Sequence, residues 1–253
     1  MTQPFIDLDE RIDTIPGTDF SLIQKIDGTA FSIDTLLLAD FVSFSPDMMS
    51  AADLGSGSGI LAFLLKYRNK SLQVTGFELQ EEFINLAKRN LELNSQFNDV
   101  FFENMDVREI PSRILPEAYD LVVSNPPYFQ LGCGRLPAKT TRAQARHELN
   151  GTVKDFVEAA SYMLPYGGRF CVIIPTSRHD EICKYLKDSN FGLKRKRFII
   201  PKENEQPHLV MIEAERFYSG DCLIMPAATI HKLDNSFSDE LKALFASGLK
   251  VYS

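Results

Sequence analysis

Several features that mark membrane and secreted proteins are missing from this chain of 253 residues. No apolar run approaches the ~18 residues that a membrane-spanning helix needs. The first residues, MTQPFIDLDERID, are acidic, whereas a signal peptide starts with a basic segment followed by an apolar one. The four cysteines (Cys133, Cys171, Cys183 and Cys222) form no CxxC pair and have no histidine pattern beside them. We therefore expect a cytoplasmic protein with reduced thiols, without membrane contact and without a bound metal.

The sequence also lacks an overall excess of basic residues, because its formal net charge is −7 at pH 7. This argues against indiscriminate coating of nucleic acid, but it leaves room for local recognition of a polyanion. Residues 129–147 contain four basic residues and no acidic one, and residues 184–202 contain seven basic residues and one acidic one. Each stretch alone reads as a solvated face, but two of them in an acidic chain favour a binding surface for a polyanion.

No repeat, low-complexity segment or linker interrupts the sequence, so we expect a single domain over residues 1–253. From residue 50 onward, segments with strand character alternate with segments with helical spacing. Strands are predicted at 48–55, 72–78, 99–106, 119–125 and 169–175, and helices at 59–68, 81–94, 152–164 and 178–190. Too few residues separate two further strands, 193–200 and 208–217, for a crossover helix, so they are predicted to pair antiparallel. This order predicts an α/β fold: a mostly parallel seven-stranded sheet with helices on both faces and an antiparallel last strand.

Two segments lie outside this alternation. Residues 1–47 are expected to be a lead-in segment that packs on the sheet. Residues 217–253 are expected to be a C-terminal extension with one strand, 221–227, and one helix, 238–248.

A glycine-rich loop, DLGSGSG (Asp53 to Gly59), follows the first strand of the alternating region and opens a helix. Gly55 and Gly57, with Ser56 between them, allow a sharp turn and let a ligand approach the backbone closely. The spacing differs from the G-x-G-x-x-G dinucleotide fingerprint, and the GK[ST] ending of a phosphate-binding P-loop is missing.

Acidic residues end the next two strands, Glu78 the second and Asp106 the third. A carboxylate at Glu78 can accept hydrogen bonds from ribose hydroxyls, and one at Asp106 can reach an adenine edge. Taken singly, such a loop can be a tight turn and such acids can be helix caps. At successive strand ends they together predict a nucleoside cofactor site, in which we include the neighbouring Leu79 and Val107 and also Asn125 at the end of the fourth strand.

This set of residues resembles the cofactor-binding motifs of the class I methyltransferases, which use S-adenosylmethionine (SAM) and have a Rossmann-like sheet. The resemblance implies that SAM is the cofactor and that the glycine loop passes under its methionine and ribose parts. It also implies that Glu78 holds the ribose and that Asp106 contacts the adenine.

The fourth strand ends in N-P-P-Y, Asn125 to Tyr128, where two prolines prevent the sheet ladder from continuing. After a glycine loop of this kind, the motif resembles that of methyltransferases acting on a planar, amide-like nitrogen, chiefly adenine N6 and the glutamine side chain. Such a nitrogen is a poor nucleophile because its lone pair is delocalised. The two prolines hold two acceptors rigidly, the Asn125 side-chain oxygen and the Pro126 carbonyl. These can accept hydrogen bonds from the two N–H groups of the target nitrogen and stabilise the charge that develops on it.

Two aromatic residues close this motif. Tyr128 has a flat face suited to stacking on an extruded base, and Phe129 can extend that wall. The alternative is a rigid loop with an aromatic side chain packed on the core, which the glycine loop upstream disfavours.

Two further segments are similar to those of the tRNA adenine-N6 methyltransferases that act beside the anticodon of a valine tRNA. The first, FSIDTLLLADF (31–41), precedes the glycine loop, and the resemblance implies that its Asp34 lies near the cofactor. The second, ARHE (145–148), follows N-P-P-Y, and implies that Arg142, Arg146 and His147 border the substrate entrance and neutralise RNA phosphates. RNA, in particular tRNA, is then the expected partner. The oligomeric state stays open, with a monomer favoured.

The second basic stretch contributes a further expected RNA contact, the KRKR run of Lys194, Arg195, Lys196 and Arg197 on a predicted strand. Strand side chains alternate between two faces, so only half of this run is expected to meet one RNA.

Other targets remain open. Protein-glutamine N5 methyltransferases of release factors share N-P-P-Y, but they usually carry an N-terminal helical domain, and here 52 residues without a long helical pattern precede Asp53. Ribosomal-RNA guanine-N2 methyltransferases tend to have a different aromatic ending after N-P-P. A non-catalytic RNA-binding protein that kept the cofactor pocket would have no need of the acceptors at Asn125 and Pro126.

Overall fold

The computed structural model describes residues 6–26, 33–126, 151–249 and 251–252. Its elements in chain order are β1 (Glu10–Thr14), β2 (Ser21–Lys25), α1 (Ile33–Phe41), β3 (Ser50–Leu54), α2 (Ile60–Arg68), β4 (Gln73–Glu78), α3 (Glu81–Leu93), β5 (Val100–Asn104), α4 (Ile110–Arg113), β6 (Leu121–Ser124), α5 (Val153–Met163), β7 (Arg169–Pro175), α6 (His179–Asp188), β8 (Phe191–Lys202), β9 (Leu209–Arg216), β10 (Leu223–His231) and α7 (Asp239–Ser247). Within these ranges, no helix is both long and apolar enough to cross a membrane.

The main sheet has eight strands in the order β10-β8-β9-β7-β6-β3-β4-β5. β9 runs antiparallel to both of its neighbours, β7 and β8, and the other pairs are parallel. The predicted mostly parallel sheet and the predicted β8–β9 pair are therefore confirmed. The predicted number of seven strands is wrong, because β10 of the C-terminal extension adds an eighth strand parallel to β8. A local pattern can indicate such a strand, but only pairing with residues far away in sequence makes it part of the sheet.

Helices cover both faces of the sheet, as predicted. On one face, α1, α2, α3 and α7 contribute to a core that includes the buried Leu36, Leu64 and Ile84. On the other face, α5 and α6 contribute to a second core that includes Phe156 and Ile182. Burial on both faces explains why the central strands are almost continuously apolar in sequence.

The direction of strand addition reverses at β3, which has β4 on one side and β6 on the other. Asp53 in β3 pairs with Val123 in β6. The glycine loop after β3 and Asn125 after β6 therefore leave the sheet side by side at its carboxyl edge. Such a reversal point is where ligands bind in open α/β sheets.

A β-hairpin precedes the sheet and is held to it by Asn90 of α3, a side chain with no solvent exposure. Asn90 Oδ1 accepts a hydrogen bond from the Ile23 amide at 2.6 Å, and Nδ2 donates to the Ile23 carbonyl at 3.2 Å. Nδ2 also donates to the carbonyl of Ser58 in the glycine loop at 3.1 Å. The amide of Asn90 thus connects the hairpin strand β2 to the glycine loop.

We expect Asn90→Ala to lower the free energy of unfolding by about 3 kcal/mol, because each buried polar group left without a partner costs about 1–3 kcal/mol. Urea denaturation measures this loss. The exposed Asn98 supplies a matched control, since Asn98→Ala removes the same amide without uncovering a buried partner. Equal stabilities of the two variants would contradict the connecting role of Asn90.

Candidate active site

The glycine loop has a left-handed backbone at Gly57 (φ 54°) and Gly59 (φ 88°), which only glycine adopts easily. A Cβ atom at Gly59 would lie 2.4 Å from the Phe102 ring, so this glycine is needed for packing. A Cβ at Gly57 would have no atom within 4 Å among the described residues. Gly57 therefore borders open space, as expected where a ligand approaches the backbone.

The end of β4 holds the glycine loop in place. The amides of Gly55 and Ser56 donate to the Phe77 carbonyl at 2.8 and 3.1 Å. Glu78 Oε2 accepts from the Gly57 amide at 3.0 Å, and Oε1 accepts from the Gln80 amide at 2.9 Å. Each carboxylate oxygen can accept more than one hydrogen bond, so Glu78 can bind the loop and still accept from a ligand hydroxyl.

Asp53 is a buried carboxyl group whose Oδ2 has no hydrogen-bond partner among the described residues. Burial, and secondarily the negative charge of Glu78, raises the pKa of Asp53 to about 8 from an ordinary value of 3.8. The Ser56 hydroxyl is likewise buried without a partner in the described part of the chain. Buried polar groups are normally paired, so these two atoms indicate a site that a ligand with donors or positive charge completes.

Asp53→Asn is expected to stabilise the ligand-free protein at pH 8 and to have little effect near pH 4. The folded-state pKa is raised, so the stability that the neutral carboxyl provides is present below pH 3.8 and is lost as the pH rises through about 8. Chemical denaturation at both pH values measures the difference, with Asp19→Asn on the surface as the control. A pH-independent difference between Asp53→Asn and the unmodified protein would rule out a perturbed carboxyl.

The third predicted acid has an intramolecular partner. Asp106 Oδ1 accepts from the Arg108 amide at 2.9 Å and caps the single turn Val107–Glu109. The Arg108 guanidinium also binds the carboxylate and holds the pKa of Asp106 below its ordinary value. Its predicted contact with an adenine stays a prediction, while its role as a cap is observed.

A cavity of about 30 Å³, enough for one or two water molecules, lies at the ends of β3, β4 and β5. It is lined by four residues predicted from sequence (Gly55, Glu78, Leu79 and Val107) and by Phe77, Gln80, Met105 and Phe156. A nucleoside needs more room, so we expect side chains of this wall to move when a ligand enters. Phe156 lies on α5, far from the other residues in sequence, and no local motif marks it.

Asn125 follows β6 next to the start of the glycine loop, where the Ser124 hydroxyl donates to the Leu54 carbonyl at 2.8 Å. Asn125 Nδ2 donates to Thr35 Oγ1 at 2.8 Å, and the next residue, Pro126, is buried. The remaining residues predicted for this part of the site lie outside the described residues: Pro127, Tyr128, Phe129, Arg142, Arg146 and His147.

Asp34 lies in helix α1 and directly precedes Thr35, which contacts Asn125, and its predicted place near the cofactor stays a prediction. Burial raises the pKa of Asp34, and the charge of nearby His208 opposes this rise. His208 directly precedes β9, and β9 is antiparallel, so its first residues reach the carboxyl edge of the sheet. Thr35 lies in the segment 31–41 that the sequence singles out, whereas His208 carries no sequence signal for this position.

The KRKR run on β8 has partners within the protein. Lys194 contacts Glu215, Arg195 contacts Glu213 at 2.7 Å, and Arg197 contacts Glu240. Lys196 Nζ lies 3.3 Å from His179 Nε2. The stretch is basic in sequence, but the adjacent strand β9 supplies two of the carboxylates that balance it, which weakens its predicted role as an RNA surface.

The sheet order and the loops at its carboxyl edge define a class I methyltransferase fold. Among solved structures, a predicted O-methyltransferase from Agrobacterium tumefaciens is similar, with a TM-score of 0.69 over 87% of this chain and 98% of the other, at 20% identity. The methyltransferase small domain family matches residues 27–200, and the chain belongs to this family. The protein is therefore a methyltransferase.

Two relatives are similar to this chain in sequence and have named activities. A protein of Shewanella sediminis is 26% identical over 226 residues, which cover 86% of this chain and 91% of the relative. A protein of Erwinia tasmaniensis is 30% identical over 163 residues, which cover 63% of this chain and 64% of the relative. Both relatives are named tRNA1(Val) (adenine(37)-N6)-methyltransferase.

Proposed function

We propose that the protein transfers a methyl group from SAM to the N6 amino group of an adenine in RNA. By similarity to the relatives named above, the target is adenine 37 of a valine tRNA. The observation that carries the proposal is the position of Asn125, which stands beside the glycine loop with its amide held by Thr35.

The residues at the glycine loop fit SAM. When bound, SAM supplies an electrophilic methyl group on a sulfonium centre, and its methionine part carries an ammonium group. Asp53 Oδ2 and Ser56 Oγ have no partner among the described residues and can receive such a cationic, hydrogen-bonding ligand, and no described atom closes the space beside Gly57. Glu78 retains capacity for ribose hydroxyls, and the apolar Leu79, Val107 and Phe156 suit an adenine ring.

The chemical role of Asn125 and Pro126 follows from the target. The amino nitrogen of adenine must give up conjugation with the ring before it can attack. Asn125 Oδ1 and the Pro126 carbonyl accept hydrogen bonds from the two N–H groups of this nitrogen. They thereby favour its pyramidal form and stabilise the positive charge that develops on it. The Asn125 amide is held by Thr35 before the reaction, which is the arrangement that electrostatic catalysis needs.

The RNA side of the site is proposed on residues outside the described ranges. Tyr128 and Phe129 would stack on the extruded adenine, and Arg142, Arg146 and His147 would neutralise phosphates at the entrance.

Mass spectrometry tests the target directly. Total tRNA, ribosomal RNA and a release factor are each incubated with the protein and isotopically labelled SAM, then hydrolysed to nucleosides or amino acids. Labelled N6-methyladenosine in tRNA is the expected product. Labelled N5-methylglutamine or N2-methylguanosine, without N6-methyladenosine, would overturn the proposed target and leave the methyltransferase assignment intact.

A further inference from the structure

Thr35 contacts Asn125 from a part of the chain 90 residues away. It lies in α1 and is only 5% exposed. Its Oγ1 accepts a hydrogen bond of 2.8 Å from Asn125 Nδ2. The contact therefore joins the lead-in helix to the residue on which the proposed chemistry depends.

Helix α1 is a rigid support for this contact. Leu36, Leu38 and Ala39 have no exposed surface. At the C-terminal end of the helix, the Arg68 guanidinium donates to the carbonyls of Ala39 and Val42, and the latter bond measures 2.8 Å. Such cations satisfy carbonyl groups that a helix end leaves without partners. Thr35 is thus presented to Asn125 from an element fixed at its other end and along its buried side.

The two ends of an asparagine amide have nearly the same shape but opposite hydrogen-bonding character. A half-turn about χ2 of Asn125 would exchange them and place an N–H donor where the substrate amino group also brings a donor. In the structure Thr35 Oγ1 is the acceptor of this pair, 2.8 Å from Asn125 Nδ2. An acceptor at this point selects Nδ2 and turns Oδ1 away from α1.

We infer that Thr35 is a positioning residue for methyl transfer, because its hydroxyl holds the Asn125 amide in the orientation that presents Oδ1 to the substrate amino group. This inference rests on the proposed function, since it requires Asn125 to accept from that group. Thr35 itself need touch neither substrate nor cofactor.

The test compares Thr35→Val, which replaces the hydroxyl by a methyl group of similar size, with Thr35→Ser, which keeps the hydroxyl. Thr75→Val is the matched control, because Thr75 is buried to a similar degree (7% exposed) and lies in β4. Full-length proteins are assayed for SAM affinity by calorimetry and for single-turnover methylation of tRNA. Thr35→Val should lower the single-turnover rate about tenfold, as expected for one lost hydrogen bond, with SAM affinity unchanged.

The single-turnover rate of Thr35→Ser should lie within about twofold of the rate of the unmodified protein, and Thr75→Val should leave that rate unchanged. Thr35→Ala, which introduces no new bulk, should behave like Thr35→Val. An unchanged rate in both Thr35→Val and Thr35→Ala, or a loss of SAM affinity that accounts for the slower rate, would overturn the inference.

A double-mutant cycle separates this role from general packing. If Thr35 acts through Asn125, Thr35→Val should add nothing to the defect of Asn125→Ala. A full additional tenfold loss in the double variant would show that Thr35 acts elsewhere. If Asn125→Ala itself retains normal turnover, the proposed function fails. If Asn125→Ala is inactive while Thr35→Val is normal, only the positioning role fails.

Discussion

Asn125→Ala is expected to lower the rate of methyl transfer by about 10²–10³-fold and to leave SAM affinity nearly unchanged. Removing one preorganised hydrogen-bonding group from a charge-stabilising site has effects of this size. The side chain is part-buried after β6 and is bound to Thr35, whereas most of the predicted SAM contacts lie at the ends of β3, β4 and β5. Calorimetry with SAM beside single-turnover methylation of tRNA measures the two effects separately.

The exposed Asn98 again provides a control, because Asn98→Ala removes an amide of the same size far from the proposed chemistry. This variant should match the unmodified protein in both assays. Weakened SAM binding with a retained rate in Asn125→Ala would reverse the assignment and make Asn125 a cofactor residue.

Glu78→Ala is expected to weaken SAM binding by roughly 100-fold. The carboxylate holds the amides of Gly57 and Gln80, and in the proposal it also accepts from the ribose. Each hydrogen bond to a charged group contributes about 1.5–3 kcal/mol, and 1.4 kcal/mol corresponds to a tenfold change in affinity. Loss of the carboxylate therefore acts twice, by releasing the glycine loop and by removing a ligand contact.

Glu81→Ala is the matched control, since Glu81 is exposed in the first turn of α3, three residues further along the chain. Calorimetry with SAM should show normal affinity for this variant. Indistinguishable affinities for Glu78→Ala and Glu81→Ala would exclude the end of β4 from the cofactor site.

Much of the fold follows from local patterns in the sequence. The buried parallel strands and the amphipathic helices were identified by their spacing, and Thr152 caps α5 through the reciprocal bonds with Asp155 that this residue type favours. The place of the candidate cofactor site follows from the sequence because parallel strands end at one edge, so motifs after β3, β4, β5 and β6 must meet there. Residues far apart in sequence can therefore be assigned to one site from the strand ends alone, without knowing how side chains pack.

Other parts of the site depend on contacts that no local pattern encodes. Thr35 meets Asn125 only because α1 packs against the finished sheet, and Phe156 reaches the cavity from the helix after β6. The partners of the KRKR run are hidden from its sequence for the same reason, since Glu213 and Glu215 lie on a strand that pairs with it from later in the chain, and its contact with RNA stays a prediction. Counting charges along a sequence misses neutralisation across a sheet.

The location of Arg195 has a practical consequence for mapping the proposed RNA-binding surface. Besides Glu213, its guanidinium donates to the Phe41 carbonyl and lies 4.3 Å from the centre of the Phe41 ring, at the end of α1. Replacing Arg195 would therefore loosen the helix that carries Thr35, and catalysis would decline even if no nucleotide ever touched β8. An alanine scan of residues 194–197 that measures only methylation activity would therefore assign RNA contacts to residues that act by supporting α1. Direct measurement of RNA binding distinguishes a lost RNA contact from a loosened helix.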